Sequence, residues 1–455
     1  MSDKRTLHGL VQREDLQRAF VLGNKLLNEN PEDPEVLYLM GHVLRSVNQL
    51  GVALPVLSKA LAKIKTQPNL WMTYAATLHD LNRWEEAEKA FLVVHEMLPQ
   101  DPMPPANIGA TYVQRGMWRD GANWCDKSLA LDETNHIARI SKGFCMLSLG
   151  RWKEAWKYHE ALYGEHLNVR IYCVPPEPDW DGSKGKTVVV QCDQGVGDII
   201  MFSQCLPQLQ ADCKEVIVEC APRLVKFFER NYPGVIVYGT LKQKTAEWTA
   251  NHQIDAHIHI SALGKFYRNT DTDFPRKAYI TADPDRLAKW KEWLAPLPKP
   301  WVGLSWKGGI QATQTHLRSV KLEDYAPVME LGGTFIDLSY EDRSEEIAHW
   351  NIDHKAQVIR PPVDPTDYED TIALVAALDE VVTVTTTVAH VCGALGRSGH
   401  VLVPQVAQWR YAYRYGDGTR LIWYSDELVM YRQVAGEIGW GPAINRVVKA
   451  LKEKK

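Results

Sequence analysis

No Cys-x-x-C pair occurs in the 455-residue chain, although it carries eight cysteines, at 125, 145, 173, 192, 205, 213, 220 and 392. Neither a zinc ribbon nor a thioredoxin-like centre is indicated. Cys192, Cys205 and Cys220 fall in apolar elements, where a reduced thiol serves as a small hydrophobe, and nothing in the spacing calls for an oxidising compartment. An excess of charge of one sign is lacking too. The net charge of −4 gives no global electrostatic case for nucleic acid or for an anionic membrane, although a local basic groove is compatible with it. No uninterrupted apolar run reaches the length of a membrane span, and Met1-Ser2-Asp3-Lys4-Arg5-Thr6-Leu7-His8 lacks the apolar core of a signal peptide, so a cytoplasmic protein is expected.

What remains is an ordinary globular composition, 45% hydrophobic and 24% charged, with a high count of 16 Trp and length for roughly two to four domains. The first third repeats. A step of 34 residues links Gly41, Ala75, Gly109 and Gly143; Ala53, Ala87, Gly121 and Ala155; Trp84, Trp118 and Trp152; and Pro34, Pro68 and Pro102. Small residues at two phases let paired helices cross closely, a bulky residue fills the turn, and proline opens the next unit, which is the tetratricopeptide pattern. Residues 12–30, with Ala19, supply the second helix of an incomplete first unit, and Trp152 to about Leu162 close the array. Such a solenoid holds a partner on its concave face or acts as a spacer or dimerisation surface, and partner binding is the favoured use. Trp71, Tyr74, Tyr112 and Trp124 share helices with the small residues and are expected in the core.

Val174-Pro175-Pro176-Glu177-Pro178 cannot be helical and marks a boundary. Beyond it β-rich runs at 187–192, 215–220, 235–238 and 254–260 alternate with helical stretches at 198–210 and 222–231. Leu294-Ala295-Pro296-Leu297-Pro298-Lys299-Pro300 is a second boundary, preceded by a helix that Asp283 caps and Pro284 opens. The alternation then restarts, with strands at 301–306, 334–338, 357–359, 381–384 and 400–403 and helices at 322–331, 343–349, 368–378 and 388–396. Parallel sheets wrapped by helices follow, with ligands at the carboxyl ends of the strands. The domains are therefore set at 1–168, 169–295 and 296–455.

One stretch organises the second part: Gln191-Cys192-Asp193-Gln194-Gly195-Val196-Gly197-Asp198 reads as strand, glycine turn and helix. Gln194, Gly195 and Gly197 would let backbone approach a ligand, and Asp198 would sit at the positive end of the helix dipole, either as a plain N-cap or as a functional carboxylate. The dinucleotide fingerprint fails, because Ile200 takes its third glycine position. Other strings are weaker. Asp271-Thr272-Asp273 and Asp283-Pro284-Asp285 resemble metal-holding D-x-D, but the second is a helix cap and the first a polar loop. His257-Ile258-His259 has no third ligand in view, so no metal is expected. Arg410, Tyr411, Tyr413, Arg414 and Arg420 interleave basic and aromatic groups that stack on bases or sugars.

Trp180-Asp181-Gly182, Gly185-Lys186, Asp193 to Asp198, Leu206-Pro207, Asp255, Ala278-Tyr279-Ile280, Val302-Gly303-Leu304-Ser305-Trp306, Arg318-Ser319, Asp370-Thr371, Val388-Ala389-His390, Gly393 to Gly396, Trp409-Arg410, Trp423-Tyr424, Arg432-Gln433 and Trp440 form an ordered set. Together they resemble the bacterial tetratricopeptide-repeat glycosyltransferases related to heptosyltransferases, and in plan the O-GlcNAc transferases. The resemblance implies a GT-B pair of Rossmann-like halves, acceptor on the first and nucleotide-sugar donor on the second, with no cofactor. It implies Asp198 as the base of an inverting, metal-independent transfer. Ser305, Trp306, Lys307 and Arg318 would be on the donor side, together with Thr385, Thr386, Thr387 and the helix terminus at Val388; Lys307 and Arg318 would hold the diphosphate. His390 would touch phosphate or sugar, or else be a buried, hydrogen-bonded helix histidine. Three positions depart from the family's pattern: Thr385 stands for an Asp, Lys307 for a small residue and Gln408 for an Asp. A different donor, a divergent lineage such as a phage enzyme, or an inactive transferase accommodates them.

The expectation is a glycosyltransferase whose solenoid holds the acceptor macromolecule, which is a protein, a glycan precursor or a hydroxylated base in phage DNA, the last not favoured by net charge. The rival is a catalytically silent tetratricopeptide scaffold.

Overall fold

A computed structural model describes residues 2–159, 177–192, 194–240, 247–309, 315–364 and 367–454. It divides into two compact units, Met1–Leu149 and Gly150–Lys455. The boundary expected at 168/169, part of the proline-rich linker, Cys173 and Asp193 lie outside the described residues.

The first unit is a series of helix pairs: Ser2–Gln12 with Leu16–Glu29, Pro34–Ser46 with Leu50–Lys63, Pro68–Asp80 with Trp84–Met97, Met103–Gln114 with Trp118–Leu131, and then His136–Ser148. Pro34 and Pro68 open their helices, and Asp33 Oδ1 caps one of them by accepting from the Glu35 and Val36 amides at 3.1 and 3.3 Å. Ser2–Gln12 completes the first pair, which the sequence reading took as half a unit. The close crossing inferred from small residues is there. A Cβ on Gly109 would lie 2.6 Å from Cys125 Sγ and 3.1 Å from the Gly121 carbonyl, and one on Gly121 would lie 3.2 Å from the Gly109 carbonyl. Trp71, Tyr74, Tyr112 and Trp124 are partly buried against the core that includes Phe91 and Ile108.

A further phase of the repeat emerges from the backbone. Glu14, Asn48, Asn82, Gly116 and Gly150 have φ of 57°, 60°, 61°, 71° and 72°, and they too are 34 residues apart. Each stands in a turn where the chain passes through the left-handed region, which Gly and Asn enter at least cost. Glu14 carries the register back to the first pair.

The second unit opens with the Trp152–His159 helix, read from sequence as the close of the array. Its Trp152 Nε1 donates to Asp271 Oδ1 at 2.7 Å and its Trp156 Nε1 to the Arg268 carbonyl at 2.6 Å. Arg268 is fully buried, and its guanidinium is solvated by the oxygens of Gln204, Gln208 and Tyr267, as a buried cation requires.

Among the described residues ten strands follow: β1 (Thr187–Gln191), β2 (Glu215–Cys220), β3 (Ile236–Gly239), β4 (Ala256–His259), β5 (Trp301–Ser305), β6 (Thr334–Asp337), β7 (Val358–Ile359), β8 (Glu380–Val384), β9 (Gly399–Val403) and β10 (Leu428–Arg432). They form a four-stranded sheet in the order β3-β2-β1-β4 and a six-stranded sheet in the order β10-β9-β8-β5-β6-β7. Every pairing between these strands is parallel, in keeping with continuous apolar runs such as Val188-Val189-Val190, which are buried on both faces. The chain is thus a tetratricopeptide-like helical solenoid followed by an α/β region. β10 and the Gly441–Glu453 helix were outside the alternation read from sequence; the helix Pro284–Leu294 is capped by Asp283 as expected, through the Arg286 amide at 2.9 Å.

Among the described residues no helix is long and apolar enough to cross a membrane. The thiols of Cys125, Cys145, Cys192, Cys205, Cys220 and Cys392 are buried, and Cys213 is half-buried. Burial pushes the Cys125 and Cys392 thiols up to about 12, so they pack as hydrophobes.

Candidate functional site

Strand order reverses beside β1 in the first sheet and between β5 and β8 in the second, and a crevice outside the carboxyl ends of parallel strands forms at such points. The helix after β1 and the helix after β8 meet there. The first, Val196–Ser203, has Gly195 as its N-cap, with no side-chain cap, and Asp198 stands in its first turn. Asp198 is therefore not the cap that spacing alone favoured. Its carboxylate is gripped at both oxygens by Arg410, Nε to Oδ1 and Nη2 to Oδ2, the latter at 2.6 Å. Arg410 belongs to the short Trp409–Ala412 helix after β9, so a bidentate ion pair joins the two sheets.

The glycines of the turn serve different ends. Gly195 is exposed, with open space where a Cβ would be. Gly197 is helical, and a Cβ there would lie 2.8 Å from His390 Cδ2 and 3.4 Å from Thr387 Cα. It permits one helix to lie against the other rather than to approach a ligand. Gln194 is half-buried.

The second helix, Thr387–Leu395, is capped by Thr386, whose hydroxyl accepts from the Val388 amide at 3.3 Å. Thr387 is half-buried at its first position, and Thr385 is buried just before it. Across the crevice, a Cβ on Gly308 would lie 2.4 Å from Thr386 Cγ2, so the loop after β5 rests on this terminus. Arg318 is buried, with Nη1 3.5 Å from the Thr385 carbonyl and 3.1 Å from Gln408 Oε1. Burial lowers its pKa, which the neighbouring Arg410 lowers further and Asp198 partly offsets. Three of the residues assigned to the donor side stand elsewhere. Ser305 and Trp306 are buried in β5 and the core beneath it, since β5 is central and covered on both faces. Lys307 turns to Glu346, with Nζ 3.0 Å from Oε2.

His390 is the buried, hydrogen-bonded histidine of the two alternatives. Nδ1 meets the Tyr424 hydroxyl at 2.8 Å and Nε2 the Tyr411 hydroxyl at 2.9 Å. Burial drives its pKa down from 6.5 to about 4, with Asp198 raising it and Arg410 lowering it as lesser causes. The native state thus keeps His390 neutral, whereas the unfolded chain protonates it below about pH 6.5. Stability is full above that value and is lost as pH falls towards the folded value, by about 3 kcal/mol over the window. Urea unfolding of the wild type and of His390→Gln at pH 7 and pH 5 should show this extra slope in the wild type alone; equal slopes would remove His390 as its source.

The D-x-D strings are occupied by structure. Asp271 accepts from Trp152 and, at 2.6 Å, from the Tyr413 hydroxyl, and Asp273 Oδ2 accepts from the Asn269 and Thr270 amides, both at 2.8 Å. His257 Nε2 lies 3.2 Å from Asp179. Among the described residues no group of three or more His, Cys, Asp or Glu side chains is placed to hold a metal ion.

Sequence reasoning did not find Arg410 as the partner of Asp198, nor Tyr411 and Tyr424 as those of His390. It also missed a second ionic junction between the sheets: Arg230, on the Val225–Asn231 helix, pairs with Glu369, on the Tyr368–Ala377 helix, at 2.5 and 2.9 Å. Beside it Asp367 accepts from Lys226 at 2.9 Å and from Arg286 at 2.6 Å.

Residues 12–94 match the family model described as anaphase-promoting complex, cyclosome, subunit 3. The chain is 26% identical over 453 residues to Protein FlbA of Caulobacter vibrioides, covering 93% of this chain and 73% of that protein. Among solved structures, MamA from Desulfovibrio magneticus is 18% identical, covering 36% of this chain and 93% of its own, with a TM-score of 0.31. A thermophilic TPR protein of Thermus thermophilus is 22% identical, covering 36% and 90%, with a TM-score of 0.31. The N-terminal part of the chain carries TPR-like repeats.

Proposed function

We propose that the α/β region is a GT-B glycosyltransferase that moves a sugar from a nucleotide-sugar to an acceptor hydroxyl with inversion, and that the solenoid holds the acceptor macromolecule. The observation that carries the reading is the Asp198–Arg410 pair. It sets a carboxylate from the first sheet against a guanidinium from the second, beside the crevice at the strand-order reversal of both. In the transfer, Asp198 takes the acceptor O–H proton as that oxygen bonds to the anomeric carbon, and the bond from that carbon to the diphosphate oxygen breaks. Both Asp198 oxygens are engaged by Arg410, so one must be given up for the proton to arrive. The released guanidinium, with Arg318 and the amide at Thr387, then meets the charge growing on the leaving diphosphate. TPR-like repeats commonly mediate protein association, which supports a macromolecular acceptor.

The test is release of nucleoside diphosphate, or monophosphate for CMP-type donors, from a panel of UDP-, GDP-, ADP- and CMP-sugars, with and without candidate protein, glycan and DNA acceptors. Release from one donor class is expected. Silence across the panel, with no rise in melting temperature on adding the nucleotides, would favour the scaffold reading, since a ligand specific to the folded state must raise its stability. That reading has one observation on its side, the occupation of both Asp198 oxygens.

A further inference from the structure

Tyr340 is 82% exposed, a large aromatic left in water. It stands three residues beyond β6, the strand next to β5 on the side away from β8. Its loop is held in place. Asp337 Oδ1 accepts from the Ser339 amide at 2.8 Å, and Arg360 Nη1 bridges Asp337 Oδ2 at 2.6 Å and the Glu341 carbonyl at 3.2 Å. Over the ring lies a cation from the other sheet: Arg223, in the Pro222–Leu224 turn after β2, has its guanidinium carbon 5.9 Å from the ring centroid. The carboxyl ends of β2 and β6 therefore face one another at this end of the crevice.

We infer that Tyr340 and Arg223 are the two faces of a slot for the nucleobase of the donor, an inference that rests on the transferase reading. A planar base stacked at about 3.4 Å on each side needs its two faces about 6.8 Å apart, more than the 5.9 Å from guanidinium carbon to ring centroid, so the two side chains part to admit one. Aromatic rings and arginine planes are the groups on which proteins stack bases. The reach also fits. β8 and β6 are separated by β5 alone, a distance of about 10 Å at ordinary strand spacing. A diphosphate at the Thr386–Thr387 terminus thus places its nucleoside over β5 and its base at Tyr340. A base held by its faces is recognised through stacking, and Tyr340 sets affinity for the nucleoside and not for the diphosphate.

The experiment is calorimetric titration of the full chain with UDP, ADP, GDP, CMP and inorganic pyrophosphate, for the wild type, Tyr340→Ala, Tyr340→Phe and Arg223→Met. For whichever nucleotide binds, Tyr340→Ala is expected to weaken binding about tenfold and Arg223→Met by less. Tyr340→Phe should stay within twofold of the wild type, and pyrophosphate binding should be the same in all four proteins. Unchanged nucleotide affinity in Tyr340→Ala, or an equal loss for pyrophosphate, overturns the slot and leaves the transferase reading standing. A wild type that binds none of the five overturns that reading and the slot with it.

Discussion

Asp198→Asn should lower sugar transfer by about 10²- to 10⁴-fold, the usual contribution of a positioned general base, with nucleotide affinity within about threefold of the wild type. The substitution keeps the side chain's size and one carbonyl oxygen, so an N–H of Arg410 retains an acceptor and the junction of the two helices is preserved. What it removes is the capacity to hold a proton. The loss should therefore appear in kcat and not in the KM for the donor. Arg410→Lys separates the alternatives. It keeps a cation opposite Asp198 but not the planar fork that grips both oxygens. If Asp198 served only to neutralise Arg410, Asp198→Asn would act on stability and nucleotide affinity together, and near-normal turnover in that variant would exclude it as the base. Initial rates on the donor found in the panel, with calorimetric titration of the matching nucleotide, decide between them.

The parts of the fold that were legible in the sequence are those whose signal is local. A residue in a repeat meets its own copy's neighbours at a constant offset, so the crossing of Gly109 and Gly121 was written in the 34-residue step. The left-handed turn was written there as well, yet it went unseen. Glu14, Asn48, Asn82, Gly116 and Gly150 share a backbone conformation rather than a residue type, and only three kinds of side chain reveal it. Asp283 capping its helix is equally local, because cap and amide are three residues apart.

The site was legible only in outline, because its contacts are long-range. Asp198 and Arg410 are 212 residues apart, and no spacing rule connects them. The same type of residue in the same type of position also has two fates. Trp306 follows the central strand β5 and is fully buried, whereas Tyr340 follows the neighbouring β6 and is 82% exposed. Which of two aromatics at strand ends is left exposed depends on what covers each strand end, which the strand sequence does not record. Gly197 shows the same limit. A glycine in a strand–turn–helix junction permits backbone to approach either a ligand or another helix, and here His390, pinned by two tyrosine hydroxyls, is what it admits.

Arg230→Met is expected to cost about 3 kcal/mol of stability, because it leaves the carboxylate of Glu369, which is 2% exposed, buried without its guanidinium. Thermal and urea unfolding of the α/β region should register it as a lowered midpoint. Glu369→Leu in the same chain should recover most of the loss, since an apolar pair of similar volume is as stable as a buried ion pair or more so, while a half pair is not. A double variant no better than Arg230→Met would mean that the cost comes from the lost arginine stem and its bond to Thr281 instead. The pair has a consequence for the transfer as well. The Asp198–Arg410 and Arg230–Glu369 pairs are both bidentate, but only the Asp198 one must open for the proposed chemistry, and it is the more exposed of the two, at 14% for its carboxylate against 2%. Water can take the place of Arg410 at Asp198 more readily than that of Arg230 at Glu369.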